Sequence, residues 1–254
     1  MQKRIIVANW KMNPLGPKEA QKLFTGVVKF LSAVKRTEIV VCPPCIYFDK
    51  LKKLSRKISL GAQDAAPGDV GPFTGEVSAD MLYEIGVRYV IVGHSERRAM
   101  GENNNIINKK MKGALAAGLV PILCVGEDVR DSEHGYFNVV KTELEECLAG
   151  ISKNLVGRII IAYEPIWAIS STPGRRDATP EDSREMAIFI RKILSDKFGS
   201  FAKSTRILYG GSVNDKDAAG FLSEGGVDGL LVGKASLDVV KFGQIVKICE
   251  ASKK

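Results

Sequence analysis

Residues 4–42 read RIIVANWKMNPLGPKEAQKLFTGVVKFLSAVKRTEIVVC, and the rest of the chain repeats the unit they contain. RIIVAN (4–9) is a short β-branched run, KEAQKLFTGVVKFLSAV (18–34) has apolar residues at helical spacing, and EIVVC (38–42) is a second strand-like run. Both runs are apolar at nearly every position, as expected of strands covered on both faces in a parallel sheet. Further runs follow at ISLGA (58–62), YVIVG (89–93), LVPILCVG (119–126), IIIAY (159–163), RILYG (206–210) and DGLLVG (228–233). Helical stretches such as NNIINKKMKGALAAG (104–118), VVKTELEECLAG (139–150) and PEDSREMAIFIRKIL (180–194) lie between them. About eight strand–helix units without a composition break or linker favour a closed (β/α)8 barrel over a doubly wound sheet with a second domain. A chain of 254 residues, 45% hydrophobic and 26% charged, suits one such domain over residues 1–254.

Composition excludes several classes of function. The opening MQKRIIVANWK has an apolar run interrupted by Asn9 and Lys11, so it lacks the apolar core of a secretory signal. No apolar run approaches the roughly 18 residues of a membrane span, and a soluble, cytoplasmic protein is expected. A net charge of +8 suits any anionic partner, but the basic residues are scattered, as in KLKKLSRK and GRRD, without interleaved aromatics. Nucleic acid is therefore not expected. The five cysteines are Cys42, Cys45, Cys124, Cys147 and Cys249, an odd number that argues against a disulfide framework. Cys42-Pro-Pro-Cys45 follows a strand as redox motifs do. The rest of a thioredoxin fold is missing and no second CxxC exists for zinc, so small apolar residues at a strand end are the plainer reading.

Active sites of barrels lie at the C-terminal ends of the strands. Asn9 and Lys11 follow the first run, His94 the fourth, Glu164 the sixth, Gly210, Gly211 and Ser212 the seventh, and Gly233 and Lys234 the eighth. Singly, each has an ordinary explanation: a structural histidine, a carboxylate bonded to backbone, a surface ammonium, glycines in turns. The other histidine, His134, reads as solvent-exposed at a helix start. Together around one mouth, the strand-end residues make a consistent set. Glycine-rich turns that open helices present N–H groups to a phosphate. Glu164 can take a proton from carbon beside a carbonyl, and His94 and Lys11 can stabilise the enediolate oxygen that develops. No metal-ligand cluster is apparent in the sequence, and cofactor-free proton transfer is the simplest chemistry these groups support.

These residues sit in NWKMN (9–13), GPFTGEVSADML (71–82), GHSERR (93–98), PILCVGE (121–127), AYEPIWAI (162–169), YGGSV (209–213) and LVGKASL (231–237). In order and spacing, from Arg4 to about Ser252, the chain resembles the triosephosphate isomerase family. The resemblance implies interconversion of dihydroxyacetone phosphate and glyceraldehyde 3-phosphate, in glycolysis and gluconeogenesis, without a cofactor. It implies that Glu164 shuttles the carbon-bound proton and that neutral His94 serves the substrate oxygens. Lys11 would offset charge, held by Asn9 and Glu96. Backbone N–H groups near Ser170, Gly211, Ser212, Gly233 and Lys234 would hold the phosphate. A lid would hinge at Pro165 and Trp167 on one side and Ala178 on the other, with Tyr209 and Ser212 holding it closed and Glu127 accepting from the Trp167 indole. Thr74, in the segment 71–76, would dock into a second subunit of a homodimer.

Two positions depart from the family pattern. The lid reads AISSTPGRRDATP where AIGTGKxATP is usual, about three residues longer, with Ser170 in place of a phosphate-binding glycine. Lys234 replaces the second glycine of the usual VGGASL. The rival expectations are a barrel retained as a catalytically impaired scaffold and an isomerase of a different sugar phosphate.

Overall fold

The first strand, β1 (Arg4–Asn9), is buried along its whole length because it is covered on both faces. In the computed structural model, which describes residues 3–30, 34–68, 70–169 and 172–252, strands and helices alternate as the runs imply. After β1 come α1 (Pro17–Phe30), β2 (Thr37–Cys42), α2 (Phe48–Leu51), β3 (Ser59–Ala62), α3 (Ala79–Glu84) and β4 (Tyr89–Val92). Next are α4 (Ser95–Ala99), α5 (Asn104–Ala116), β5 (Val120–Val125), α6 (Tyr136–Cys147), α7 (Lys153–Val156) and β6 (Ile160–Tyr163). The chain ends with α8 (Pro180–Phe198), β7 (Arg206–Tyr209), α9 (Ala218–Ser223), β8 (Gly229–Val232) and α10 (Val239–Ala251). The strands pair in parallel in chain order, and β8 returns to β1, with Ile5 opposite Gly229 and Ala8 opposite Val232, to close the barrel.

The period-2 alternation of the strands divides the core into two apolar clusters. Ile5, Val7, Val40, Ile91, Ile122, Ile160, Leu208 and Leu231 pack together as one. Ile6, Ala8, Ile39, Val41, Leu123, Ile161, Ile207 and Leu230 pack in the other, with the buried faces of the helices. In α1 that face is Ala20, Leu23, Phe24 and Val27, spaced i, i+3, i+4, i+7. The expected first helix, 18–34, is longer than α1; residues 31–33 lie outside the described residues and Val34 is not helical. A capping box starts α8, with Thr179 and Asp182 satisfying each other's backbone N–H and Pro180 in the first turn. Among the described residues no helix is long and apolar enough to cross a membrane.

Candidate active site

The strand ends bring Asn9, Lys11, His94 and Glu164 to one cavity of about 470 Å³, with Gly210, Gly211, Ser212, Gly233 and Lys234 on its β7 and β8 side. Lys11 takes a left-handed backbone (φ 52°). That conformation is disfavoured outside glycine, and two flanking side chains support it. Asn9 Oδ1 accepts from the Lys11 N–H at 3.0 Å, and Gln63 Nε2 donates to the Lys11 carbonyl at 2.8 Å. The Lys11 ammonium meets Glu96 Oε1 at 2.6 Å.

His94 is the N-cap of α4, and its Nδ1 accepts from the Glu96 N–H at 3.1 Å. An accepting Nδ1 leaves the ring proton on Nε2. Nε2 faces Glu164 Oε1 at 3.3 Å, and Glu164 Oε2 accepts from the Ser95 N–H at 3.2 Å. Glu164 is only 2% exposed, and its N–H donates to the Val125 carbonyl at 2.8 Å. Gly126 beside it has no room for a side chain: a Cβ would lie 1.9 Å from the Glu164 carbonyl oxygen.

On the lid side, Glu127 Oε1 accepts from the Trp167 indole and from the Tyr163 hydroxyl, both at 2.8 Å. Burial pushes the Glu127 carboxyl up, against the opposing pull of those hydrogen bonds and of Arg130. The Arg176 guanidinium lies 4.4 Å from the centre of the Trp167 ring, and the Arg176 backbone N–H donates to the Trp167 carbonyl. Pro165 precedes a 3-10 turn, Ile166–Ala168, and Ala178 precedes the Thr179 cap of α8. The Tyr209 hydroxyl is buried without a hydrogen-bond partner among the described residues, its ring stacked on Phe221 at 3.9 Å. Among the described residues neither it nor Ser212 is hydrogen-bonded to the segment that follows β6. The expected Ser170 donor lies outside the described residues. Lys234 is exposed and opens the 3-10 turn Lys234–Leu237 beside the cavity.

Thr74 and its neighbours in 71–76 are all exposed. Next to Lys11 a second cavity, of about 840 Å³, is lined by Met12, Cys45, Gln63, Gly75 and Arg97 among others. His134 is exposed, one residue before the N-cap of α6. Burial pushes the Cys42 thiol up and Cys45 is exposed, both free.

Sequence reasoning missed Gln63, although it directly follows the third run and the strand-end rule could have found it. It also missed two ionic clusters: Lys110 with Asp64 and Glu102, and Arg98 with Glu143. Their partners come from different elements, so no local spacing reveals them.

The family model described as triosephosphate isomerase matches residues 4–249. The chain belongs to the triosephosphate isomerase family. The triosephosphate isomerase of Aquifex aeolicus (strain VF5) is 43% identical over 249 residues, 96% of this chain and 98% of its own. That of Moorella thermoacetica is 42% identical over 250 residues, covering 97% and 98%. The crystal structure of triosephosphate isomerase from Bartonella henselae matches with a TM-score of 0.85 at 34% identity, covering 97% of this chain and 98% of that one.

Proposed function

We propose that this chain interconverts dihydroxyacetone phosphate and glyceraldehyde 3-phosphate by cofactor-free proton transfer through an enediolate. One observation carries the assignment of roles: the buried Glu164 carboxylate lies 3.3 Å from an Nε2–H imidazole, in the same cavity as Lys11. Glu164 leaves the Ser95 N–H, takes the proton from one substrate carbon and returns it to the adjacent carbon, which regenerates the carboxylate. His94 donates its Nε2 proton to one enediolate oxygen and takes a proton back from the neighbouring oxygen, which restores the neutral ring. Lys11, held by Asn9 and Glu96, stabilises the negative oxygen. The phosphate binds the N–H groups of Gly211, Ser212, Gly233 and Lys234, joined by Ser170 when the lid, hinged at Pro165, Trp167 and Ala178, closes against Tyr209.

We further read residues 1–254 as one domain, a subunit of a cytoplasmic homodimer. The exposed Thr74 loop and the 840 Å³ cavity beside Lys11 support this, because a second copy seated there would cover the Lys11 backbone. A coupled assay with glyceraldehyde 3-phosphate, without added metal or cofactor, is expected to show turnover. A folded protein that binds phosphate and does not turn over would favour the impaired scaffold.

A further inference from the structure

The Arg98–Glu143 ion pair lies behind the proposed base and has no role in the mechanism above. Arg98, late in α4, donates from Nε to the Gly93 carbonyl at 2.8 Å and from Nη2 to the Cys124 carbonyl at 3.3 Å, bridging the β4 end to β5. Glu143, on α6, places Oε1 3.1 Å from Arg98 Nη1, and its Oε2 accepts from the Gly126 N–H at 2.9 Å. Gly126 is the residue packed directly against the Glu164 carbonyl. Arg98, Ser95, Gly126 and Glu164 come together around one narrow cleft. Among the described residues the guanidinium pairs with Glu143 and not with Glu164.

We propose that Glu143 is a positioning residue for the base: it fixes the backbone beneath Glu164 and keeps the Arg98 cation from capturing the Glu164 carboxylate. The inference rests on the reading of Glu164 as the base. A largely buried guanidinium without its counter-ion would seek the nearest carboxylate, since an uncompensated buried charge is costly. Glu164, drawn back toward Arg98, would then be displaced from the substrate carbon, and displacements of about 1 Å are worth up to about 10²-fold in rate. The phosphate-binding turns follow β7 and β8, across the mouth, so binding should be spared.

The test compares Glu143→Gln, which keeps an acceptor for Gly126 but removes the charge, with Glu143→Asp, assayed at pH 8. Glu143→Gln should lower kcat for glyceraldehyde 3-phosphate by about 10- to 10²-fold with KM and inhibition by inorganic phosphate within about 2-fold, and Glu143→Asp should recover part of the loss. In a Glu164→Asp background, where the carboxylate is already set back, the Gln substitution should cost no more than about 2-fold. Adding Arg98→Gln to Glu143→Gln removes the stranded cation and should raise kcat above that of Glu143→Gln alone; this double variant also serves if the single one folds poorly. An unchanged kcat in Glu143→Gln, an equal loss in both Glu164 backgrounds, or no recovery in the double variant would each overturn the proposal. Glu164→Gln alone separates the two readings: if it keeps full kcat the base assignment falls, and if it does not, failure of the Glu143 variants counts against Glu143 only.

Discussion

Around Glu164, the hydrogen bonds hold the backbone more firmly than the carboxylate. Its Oε2 rests on the Ser95 N–H at 3.2 Å, a contact it can leave, while its backbone is fixed by Val125 and Gly126. Glu164→Gln is therefore expected to fold normally and bind phosphate with nearly unchanged affinity while kcat falls at least about 10²-fold, as steady-state kinetics with phosphate inhibition would show. Tyr209 makes the opposite case. Its buried hydroxyl has no partner among the described residues, so Tyr209→Phe should leave the melting temperature unchanged or raised, because an unmet buried donor contributes no stability. If the hydroxyl is a latch for the closed lid, the same variant should release more methylglyoxal per turnover, whereas a large loss of melting temperature would count against this account. Glu143 has a pH signature. Burial pushes its carboxyl up to about 7, against the opposing pull of Arg98 and the Gly126 N–H. The folded state then holds this proton after the unfolded chain has released it, so stability from this group is present below pH about 4.5 and declines up to about 7. Relative to Glu143→Gln, the wild type should lose up to about 3 kcal/mol over that window in urea titrations.

At the scale of elements, the strands were legible and the lid only partly so. RIIVAN and β1 coincide, and the other runs differ from their strands by one or two residues, because a strand buried on both faces cannot avoid a continuous apolar signature. That His94, Glu164 and Lys11 share one cavity was legible, because strand ends meet at one mouth of a barrel. Arg98 and Glu143, 45 positions apart, were not: each reads locally as an ordinary charge on a helix, and only the packing of α6 beside β5 joins them. In the segment after β6, neither the Arg176 guanidinium over the Trp167 ring nor the Thr172 hydroxyl bonded to the Ile166 carbonyl was legible. Those contacts give the longer loop internal support, and doubling a flexible loop costs only about 0.6 kcal/mol of closure entropy. Replacing residues 170–175 by Gly-Thr-Gly should accordingly change kcat modestly; a gain of many orders of magnitude would mean that the native lid does not close. Where the lid meets α8, Thr179→Ala removes half of the capping box and should lower stability by about 1 kcal/mol, measurable by thermal denaturation.

At the scale of the whole molecule, several large apolar side chains close in sequence to Lys11, Cys45 and Thr74 are exposed. Met12 is 94% exposed, Leu15 97% and Ile46 77%, and Phe73 beside Thr74 is half exposed. Single exposed apolar residues need no explanation, but Met12 lines the cavity beside Lys11, and Ile46 and Phe73 lie within two residues of its lining residues Cys45 and Gly75, which suits a surface covered by a second copy. Light scattering should report a dimer at assay concentrations; a fully active monomer would remove that reading. The charge of +8 should also raise encounter rates with a phosphate dianion, so kcat/KM is expected to fall with ionic strength while kcat holds. Barrel closure, finally, has a consequence for how the chain reaches its fold. Because β1 is hydrogen-bonded to β8 as well as to β2, one of its two ladders joins residues more than 220 positions apart, and nothing synthesised before Gly229 can supply the last partner. Until that segment leaves the ribosome, the nascent sheet keeps two open edges, the arrangement most prone to pairing with a neighbouring chain. Emergence of β8, rather than of any earlier strand–helix unit, is then the moment at which the sheet loses its open edges.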